Sequence, residues 1–254
     1  MSFTPDCKLV GEVRPAINHD ERPEGRIDML LMHYTGMPDD EEAVERLTSA
    51  DSKVSCHYFV HQDGCVLQFV PEERRAWHAG VSNWHGVTDN NARSIGIEIA
   101  NPGHEHGYRA FPDKQIESVI VLSKDILARR DIPSANVVAH SDIAPMRKED
   151  PGELFPWKLL HENGIGHWVE PEPVAGGRFF QQGDAGQPVE ALQTMLSAYG
   201  YGLEINGAFD ELTHACVTAF QRHFRQERVD GVADGSTITT LHHLLRALPG
   251  APSA

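Results

Sequence analysis

Long apolar runs and an N-terminal secretion signal are missing from this sequence. No run of about 18 apolar residues occurs in its 254 residues, so no transmembrane helix is expected. The opening segment MSFTPDCKLVGEVRP has neither a basic start nor an apolar core, unlike a signal peptide. We therefore expect a cytoplasmic protein. If a leader was removed, the alternative is a periplasmic or outer-membrane-associated protein.

Positive charge is scarce. The chain has 22 lysines and arginines against 37 acidic residues, which gives a net charge of −15 at pH 7. A surface this acidic repels phosphate backbones and anionic membranes, so nucleic acid is not expected as a partner.

Cysteine is sparse too, with four residues: Cys7, Cys56, Cys65 and Cys216. Two of them, Cys56 and Cys65, flank the tight-turn signal Asp63-Gly64. In a hairpin centred on that turn they lie several residues out of register, beyond the roughly 7 Å between Cα atoms that a disulfide allows. All four are therefore predicted to be free thiols, which fits a reducing compartment.

Strand and helix patterns alternate through the first part of the chain. Residues 26–33 form an apolar run typical of a buried strand, and residues 54–70 form a hairpin around its Asp-Gly turn. Residues 94–100 alternate as a strand does, a helix opens at Pro112, and residues 136–140 form a short strand ending at a histidine. This order predicts an α/β fold, with a mixed central β-sheet flanked by helices.

The composition changes after this part. Residues 167–177 contain prolines and glycines without periodicity, which is typical of a linker, and three amphipathic helical patterns follow. We predict an α/β domain over residues 1–166, with an N-terminal extension over 1–25, a linker over 167–177 and a small three-helix all-α domain over 178–254.

Polar residues follow several predicted strands. His33 and His140 end two strands, Glu98 lies on the polar face of a third, and Lys148 and Asp150 follow in a loop. Ligands of open α/β sheets gather at such strand ends. Two histidines and one carboxylate are a usual catalytic zinc set with a fourth position open for water. Spacing alone makes a weak case in a chain with 15 histidines.

Five segments strengthen this case: MLLMHYTG, VSCHYFVHQDG, AWHAG, SIGIEIAN and AHSDIAPMRKEDPGELFPW. In this order, over about residues 25–165, they resemble the zinc-dependent N-acetylmuramoyl-L-alanine amidases of the AmpD/AmiD type, which are related in fold to the peptidoglycan recognition proteins. The resemblance implies hydrolysis of the amide bond between N-acetylmuramic acid, or its 1,6-anhydro form, and the first L-alanine of the stem peptide.

The resemblance also implies roles for particular residues. The Zn²⁺ ligands fall on His33, His140 and Asp150, the catalytic glutamate on Glu98 and the catalytic lysine on Lys148.

Four further residues are candidates for substrate binding: His78, Trp84, Arg93 and Asn101. Each has a structural alternative. His78 would instead pack within its loop, and Trp84 would be an exposed loop aromatic. Arg93 would be solvated, and Asn101 would cap a turn.

Residues 180–245 resemble the three-helix peptidoglycan-binding module of cell-wall hydrolases, through GDAGQPVEALQTMLSAYGY, NGAFDELTHACVTAFQRHF and VDGVADGSTITTL. The expected partners are muropeptides or polymeric peptidoglycan, bound by a monomer. Such a module points outside the inner membrane, against the cytoplasmic expectation.

Two other functions remain open. A non-cleaving peptidoglycan receptor is disfavoured by Asp150 together with Glu98, since such receptors typically lose the third ligand. A zinc peptidase is disfavoured because the chain has no HExxH helix.

Overall fold

A computed structural model describes residues 3–23 and 25–248 of the chain. Across these residues, none of the helices combines the length and the apolar character needed to cross a bilayer. Within the same residues there are eight strands: β1 (Glu12–Val13), β2 (His19–Glu21), β3 (Met29–Tyr34), β4 (Tyr58–Val60), β5 (Val66–Gln68), β6 (Arg74–Ala76), β7 (Ser94–Ile99) and β8 (Val137–Ala139). The described α-helices are α1 (Asp40–Thr48), α2 (Asp113–Arg129), α3 (His140–Ile143), α4 (Trp157–Glu162), α5 (Gln187–Tyr199), α6 (Glu211–Phe224) and α7 (Gly235–Ala247).

Six strands form one sheet in the order β1-β5-β4-β7-β3-β8. Strands β4 and β5 are antiparallel, and the other neighbours in this sheet are parallel. Strands β2 and β6 form a separate antiparallel pair. The predicted fold class, a mixed sheet with flanking helices followed by helices α5 to α7, is confirmed.

The register of three parallel strands brings the candidate catalytic residues to one edge of the sheet. On β3, His33 lies directly opposite Glu98 of β7. Strand β8 pairs with β3 up to Ala139 and stops there, so His140 does not end the strand as predicted but begins α3. The carboxylate of Asp142 accepts a hydrogen bond from the Ala139 amide at 2.8 Å, which turns the chain into the helix at this point.

The predicted hairpin is present, with β4 and β5 pairing around the Asp-Gly turn. Gly64 has a φ of 91°, in the region that glycine reaches without steric cost. All four cysteines are free thiols, as predicted. In this hairpin the His61 amide donates a hydrogen bond to the Cys65 carbonyl at 2.9 Å, so His61 rather than Cys56 lies opposite Cys65.

Helices α5 to α7 pack against the α/β part of the chain. Their buried faces join the same apolar cluster as the central strands, and Trp168, from the predicted linker, packs on Phe224 of α6. The Glu172 amide, also in that segment, donates to the hydroxyl of Thr240 in α7 at 3.0 Å. The domain limits given above stay a prediction, and the described residues share one apolar core across them.

A buried carboxylate joins α2 to the loop after β5. Glu72 is fully buried and accepts hydrogen bonds from Tyr58 at 2.7 Å, from Arg129 at 2.7 and 2.8 Å, and from Arg130 at 3.0 and 3.1 Å. Burial raises the pKa of Glu72, but the bonds from Arg129 and Tyr58 outweigh it and lower the pKa below 4.5. The carboxylate therefore stabilises the fold while it is ionised.

We expect Glu72→Gln to lower the free energy of unfolding by about 2 kcal/mol at pH 7, because it removes charge-assisted hydrogen bonds from a buried position. Urea titration measures this. Glu73→Gln is the control, since exposed Glu73 also pairs with Arg130. Because folding lowers the pKa of Glu72, its contribution to stability is fully present above the pKa of the unfolded state and is lost as the pH falls through the pKa of the folded state. The difference in unfolding free energy between wild type and Glu72→Gln should therefore shrink in acid. Equal loss in both variants at pH 7 would contradict this.

Candidate active site

Three side chains converge at the carboxyl ends of β3 and β8. The Nδ1 atoms of His33 and His140 are 2.9 Å apart, and the Oδ2 atom of Asp150 lies 3.1 Å from the first and 3.0 Å from the second. All three residues are buried, with at most 5% of their surface exposed. Among the described residues, these three form the one cluster of this kind suited to hold a metal ion.

The outer contact of His140 fixes which of its ring nitrogens is free. Its Nε2 atom lies 3.0 Å from the carbonyl oxygen of Ala79. A carbonyl can only accept, so this contact places the proton on Nε2 and leaves the Nδ1 lone pair directed at the other two ligand atoms. The Arg147 guanidinium also approaches Nε2, at the longer distance of 3.3 Å. Arg147 donates to the same carbonyl and to that of Val81, which holds the segment in place.

A chain of hydrogen bonds fixes His33 in the same way. The hydroxyl of Ser94 donates to the Asn90 carbonyl at 2.5 Å, so its oxygen accepts from His78 Nε2 at 3.3 Å. The proton of His78 is then on Nε2, and its Nδ1 accepts from His33 Nε2 at 3.0 Å. His33 Nδ1 is left with a free lone pair. Both histidines thus have the tautomer that a metal ligand needs.

Burial and charge set suitable protonation states. Burial, with the neighbouring His140 ring, lowers the pKa of His33 to about 4, so His33 is neutral at pH 7. Burial opposes ionisation of Asp150, but the two adjacent histidines, His140 first and then His33, outweigh it and lower the pKa of Asp150. Two neutral imidazoles and a carboxylate are the forms that bind a divalent metal.

Glu98 and Lys148 line a cavity of about 600 Å³ that reaches His140 and Asp150. The Oε2 atom of Glu98 is buried, with no hydrogen-bond partner among the described residues. Burial, and next the charge of Asp150, raise the pKa of Glu98 well above its ordinary value. A carboxylate of raised basicity in a cavity is suited to accept a proton. Lys148 is half-buried and forms no ion pair among the described residues.

Among the four candidates for substrate binding, only His78 lines the cavity. Its ring is 8% exposed, and both its nitrogens are engaged in the chain from His33 to Ser94. The structure therefore gives His78 a contact with a candidate metal ligand.

The other three lie away from the cavity. Arg93 pairs with Asp28 through two bonds of 2.6 and 2.7 Å, so its guanidinium fork is occupied. Asn101 is 2% exposed and holds its own loop, accepting from the Gly103 amide at 3.1 Å. The prediction that Trp84 stacks on sugar is wrong for this structure: the ring is fully buried against Tyr201, which leaves no face open.

Several cavity residues were missed by the sequence analysis. The Nδ1 atom of His104 lies 2.9 Å from the Tyr34 hydroxyl, and its ring stacks on Tyr108 with ring centroids 4.3 Å apart. Tyr34 and Arg147 also line the cavity. Both could have been predicted from the sequence, because Tyr34 directly follows His33 and Arg147 directly precedes Lys148. Nothing in the sequence linked His104 to this cavity.

The fold and the site define a hydrolase with a His–His–Asp centre and a neighbouring glutamate. Residues 23–153 match the family described as N-acetylmuramoyl-L-alanine amidase, and residues 185–241 match a putative peptidoglycan binding domain. The chain is 40% identical over 235 residues to the N-acetylmuramoyl-L-alanine amidase AmiD of Escherichia coli K12, covering 87% of this chain and 83% of that protein.

Solved structures agree. The E. coli AmiD complex with anhydro-N-acetylmuramic acid-L-Ala-D-γ-Glu-L-Lys superposes with a TM-score of 0.74 at 37% identity, covering 92% of both chains. AmpDh3 from Pseudomonas aeruginosa with anhydromuramic pentapeptide gives 0.72 at 31% identity, covering 90% of this chain and 93% of that one. The chain belongs to the N-acetylmuramoyl-L-alanine amidase family.

Both resemblances and the predicted enzymatic activity are thereby confirmed. The enzyme hydrolyses the amide bond between N-acetylmuramic acid and L-alanine in peptidoglycan. The comparisons favour this function over a non-cleaving receptor, because the matched relatives are amidases.

Gly96 of β7 supplies a test of the chain from His33 to Ser94. A Cβ at residue 96 would overlap the Nδ1 atom of His78, so His78 must move away from His33 in Gly96→Ala. We expect the variant to fold, with overpacking costing about 1–3 kcal/mol, and to lose at least about tenfold in kcat/KM on a muropeptide. Gly235→Ala is the control, since no atom lies within 4 Å of its Cβ. Equal activity of the two variants would show that His78 does not orient His33 for catalysis.

Proposed function

We propose that this amidase is a zinc enzyme, with His33, His140 and Asp150 as the protein ligands. The convergence of their three ligand atoms, 2.9 to 3.1 Å apart, carries the proposal. Bonds of about 2.0–2.1 Å in a tetrahedral shell separate neighbouring ligand atoms by about 3.3 Å, close to this spacing. The tautomers and protonation states derived above fit the same ion. Three protein ligands leave a fourth position for water or substrate.

The proposed catalytic roles go to Glu98 and Lys148. A zinc ion held by the three ligands would supply a Lewis acid that polarises the lactyl carbonyl and acidifies a bound water. Glu98 takes the proton from the attacking water and delivers it to the L-alanine nitrogen as that nitrogen leaves. The Lys148 ammonium stabilises the negative charge that develops on the carbonyl oxygen. The position of both residues in the cavity beside Asp150 supports these roles.

We propose muropeptides and peptidoglycan as the substrates, with either N-acetylmuramic acid or its 1,6-anhydro form. The relatives with bound anhydromuramyl peptides support the anhydro form. The match to a peptidoglycan binding domain supports contact with the polymer, and hence the periplasmic or outer-membrane alternative over the cytoplasm. A monomer is proposed.

The first test uses mass spectrometry of products from an anhydroMurNAc-tripeptide and from its GlcNAc-MurNAc counterpart. We expect intact peptide to be released from the sugar, release to stop when a chelator removes the metal, and added Zn²⁺ to restore it. The ratio of the two rates reports the preferred sugar. Full activity in a metal-free preparation would refute the zinc proposal.

A second test separates Glu98 from the metal. We expect Glu98→Gln to lower kcat by about 10²–10⁴-fold, as for loss of a general base, with zinc content unchanged. Glu105→Gln is the control, because Glu105 is an exposed carboxylate that lines the same cavity. Near-normal turnover in Glu98→Gln would show that another group moves the proton. Metal content measured by atomic absorption would show whether a loss of rate instead reflects a loss of zinc.

A further inference from the structure

The helical region α5 to α7 reaches the backbone that carries the candidate metal ligands. Asp142 of α3 is fully buried, two residues after His140. Its Oδ1 atom accepts from the Tyr201 hydroxyl at 2.7 Å, and its Oδ2 atom lies 2.7 Å from His223 Nδ1. Both partners belong to the helical region. A carboxylate buried this deeply needs such donors, because it has no access to water.

The same carboxylate fixes the start of the helix that carries His140. Oδ2 of Asp142 also accepts from the Ala139 amide at 2.8 Å, and α3 begins at the next residue. Tyr201 and His223 thus hold Asp142, and Asp142 holds the backbone turn that aims His140. A shift of this turn would move the His140 ring relative to His33 and Asp150.

Helix α6 makes a second contact beside the other ligand on this loop. Arg222 donates to the carboxylate of Glu149 at 2.6 Å, and Glu149 directly precedes Asp150. His223 stacks on Trp157 with ring centroids 3.7 Å apart, and Gln226 donates to the Phe155 carbonyl at 2.8 Å. Contacts from α6 and from the residues just after it therefore follow the loop from His140 past Asp150.

The segment that carries Tyr201 is pressed against the α/β part of the chain. The His85 amide donates to the Gly200 carbonyl at 2.8 Å, and a Cβ at Gly202 would overlap the side chain of Asn83. Tyr201 also packs on the buried ring of Trp84. The hydroxyl of Tyr201 is thus brought to Asp142 by a close backbone approach that glycine permits.

We propose that the helical region positions the zinc ligands, with Tyr201, His223 and Arg222 as positioning residues of the amidase site. This rests on the proposed function, in which His140 and Asp150 bind zinc. None of the three lines the described cavities, so they act on the reaction through Asp142 and Glu149. Residues that orient metal ligands typically contribute about 10–100-fold in metal affinity.

The test compares two buried tyrosine hydroxyls in the full-length protein. Tyr201→Phe removes the donor to Asp142, whereas Tyr199→Phe removes a hydroxyl that contacts His167 at 2.9 Å and lies outside the site. We expect zinc affinity, measured by competition with a chromophoric chelator, to fall about tenfold in Tyr201→Phe and to stay within about twofold of wild type in Tyr199→Phe. Thermal unfolding of the metal-free proteins checks that the two substitutions destabilise the fold similarly.

A second pair keeps the proposal testable if Tyr201→Phe does not fold. Arg222→Gln removes the contact with Glu149, and Arg228→Gln removes an exposed pair with Asp230 in the same region. We expect weaker zinc binding in the first only. Wild-type protein that binds no zinc would overturn the proposed function itself. Zinc bound by the wild type with equal affinity in both members of each pair would overturn the positioning proposal alone.

Discussion

The removal of water from His33, His140 and Asp150 is the constraint on which the rest of the site depends. Buried polar groups must be paired, and buried ionisable groups must take the form that their surroundings favour. Here each ligand atom faces the other two, and each outer ring nitrogen has a partner, the Ala79 carbonyl or the His78 ring. The outer contacts hold the rings so that the lone pairs of the three inner atoms face one point, where a cation would satisfy them.

Strand direction explains why the groups meet at all. Parallel strands end on the same edge of a sheet, so residues distant in sequence become neighbours there. His33 and Glu98 are register partners, and His140 follows the strand on the other side of β3. The ligand and the candidate base therefore sit on a rigid scaffold, while Lys148 and Asp150 come from the loop after α3. Rigid strands keep such groups within the small tolerances that catalysis requires.

Local patterns carried much of this information. The apolar run before His33 and the alternation around Glu98 predicted both strands, and the family resemblance assigned the ligand set. Long-range contacts could not be read this way. Trp84 looked like an exposed loop aromatic because its burial depends on Tyr201, more than a hundred residues later. Arg93 looked free for a substrate because its partner Asp28 is distant in sequence. Such pairings are set by tertiary packing, which single-sequence patterns do not encode.

The linker predicted from composition is likewise blind to long-range contacts. Prolines and glycines in residues 167–177 predicted a linker, and a linker suggests two bodies that move separately. Yet Trp168 is buried on α6, and the buried side chain of Asp142 is hydrogen-bonded by residues from beyond this segment. A carboxylate left without those donors would be costly in the folded protein, which opposes separation of the two parts. The apolar core and this carboxylate therefore tie the helical region energetically to the loop that holds His140 and Asp150.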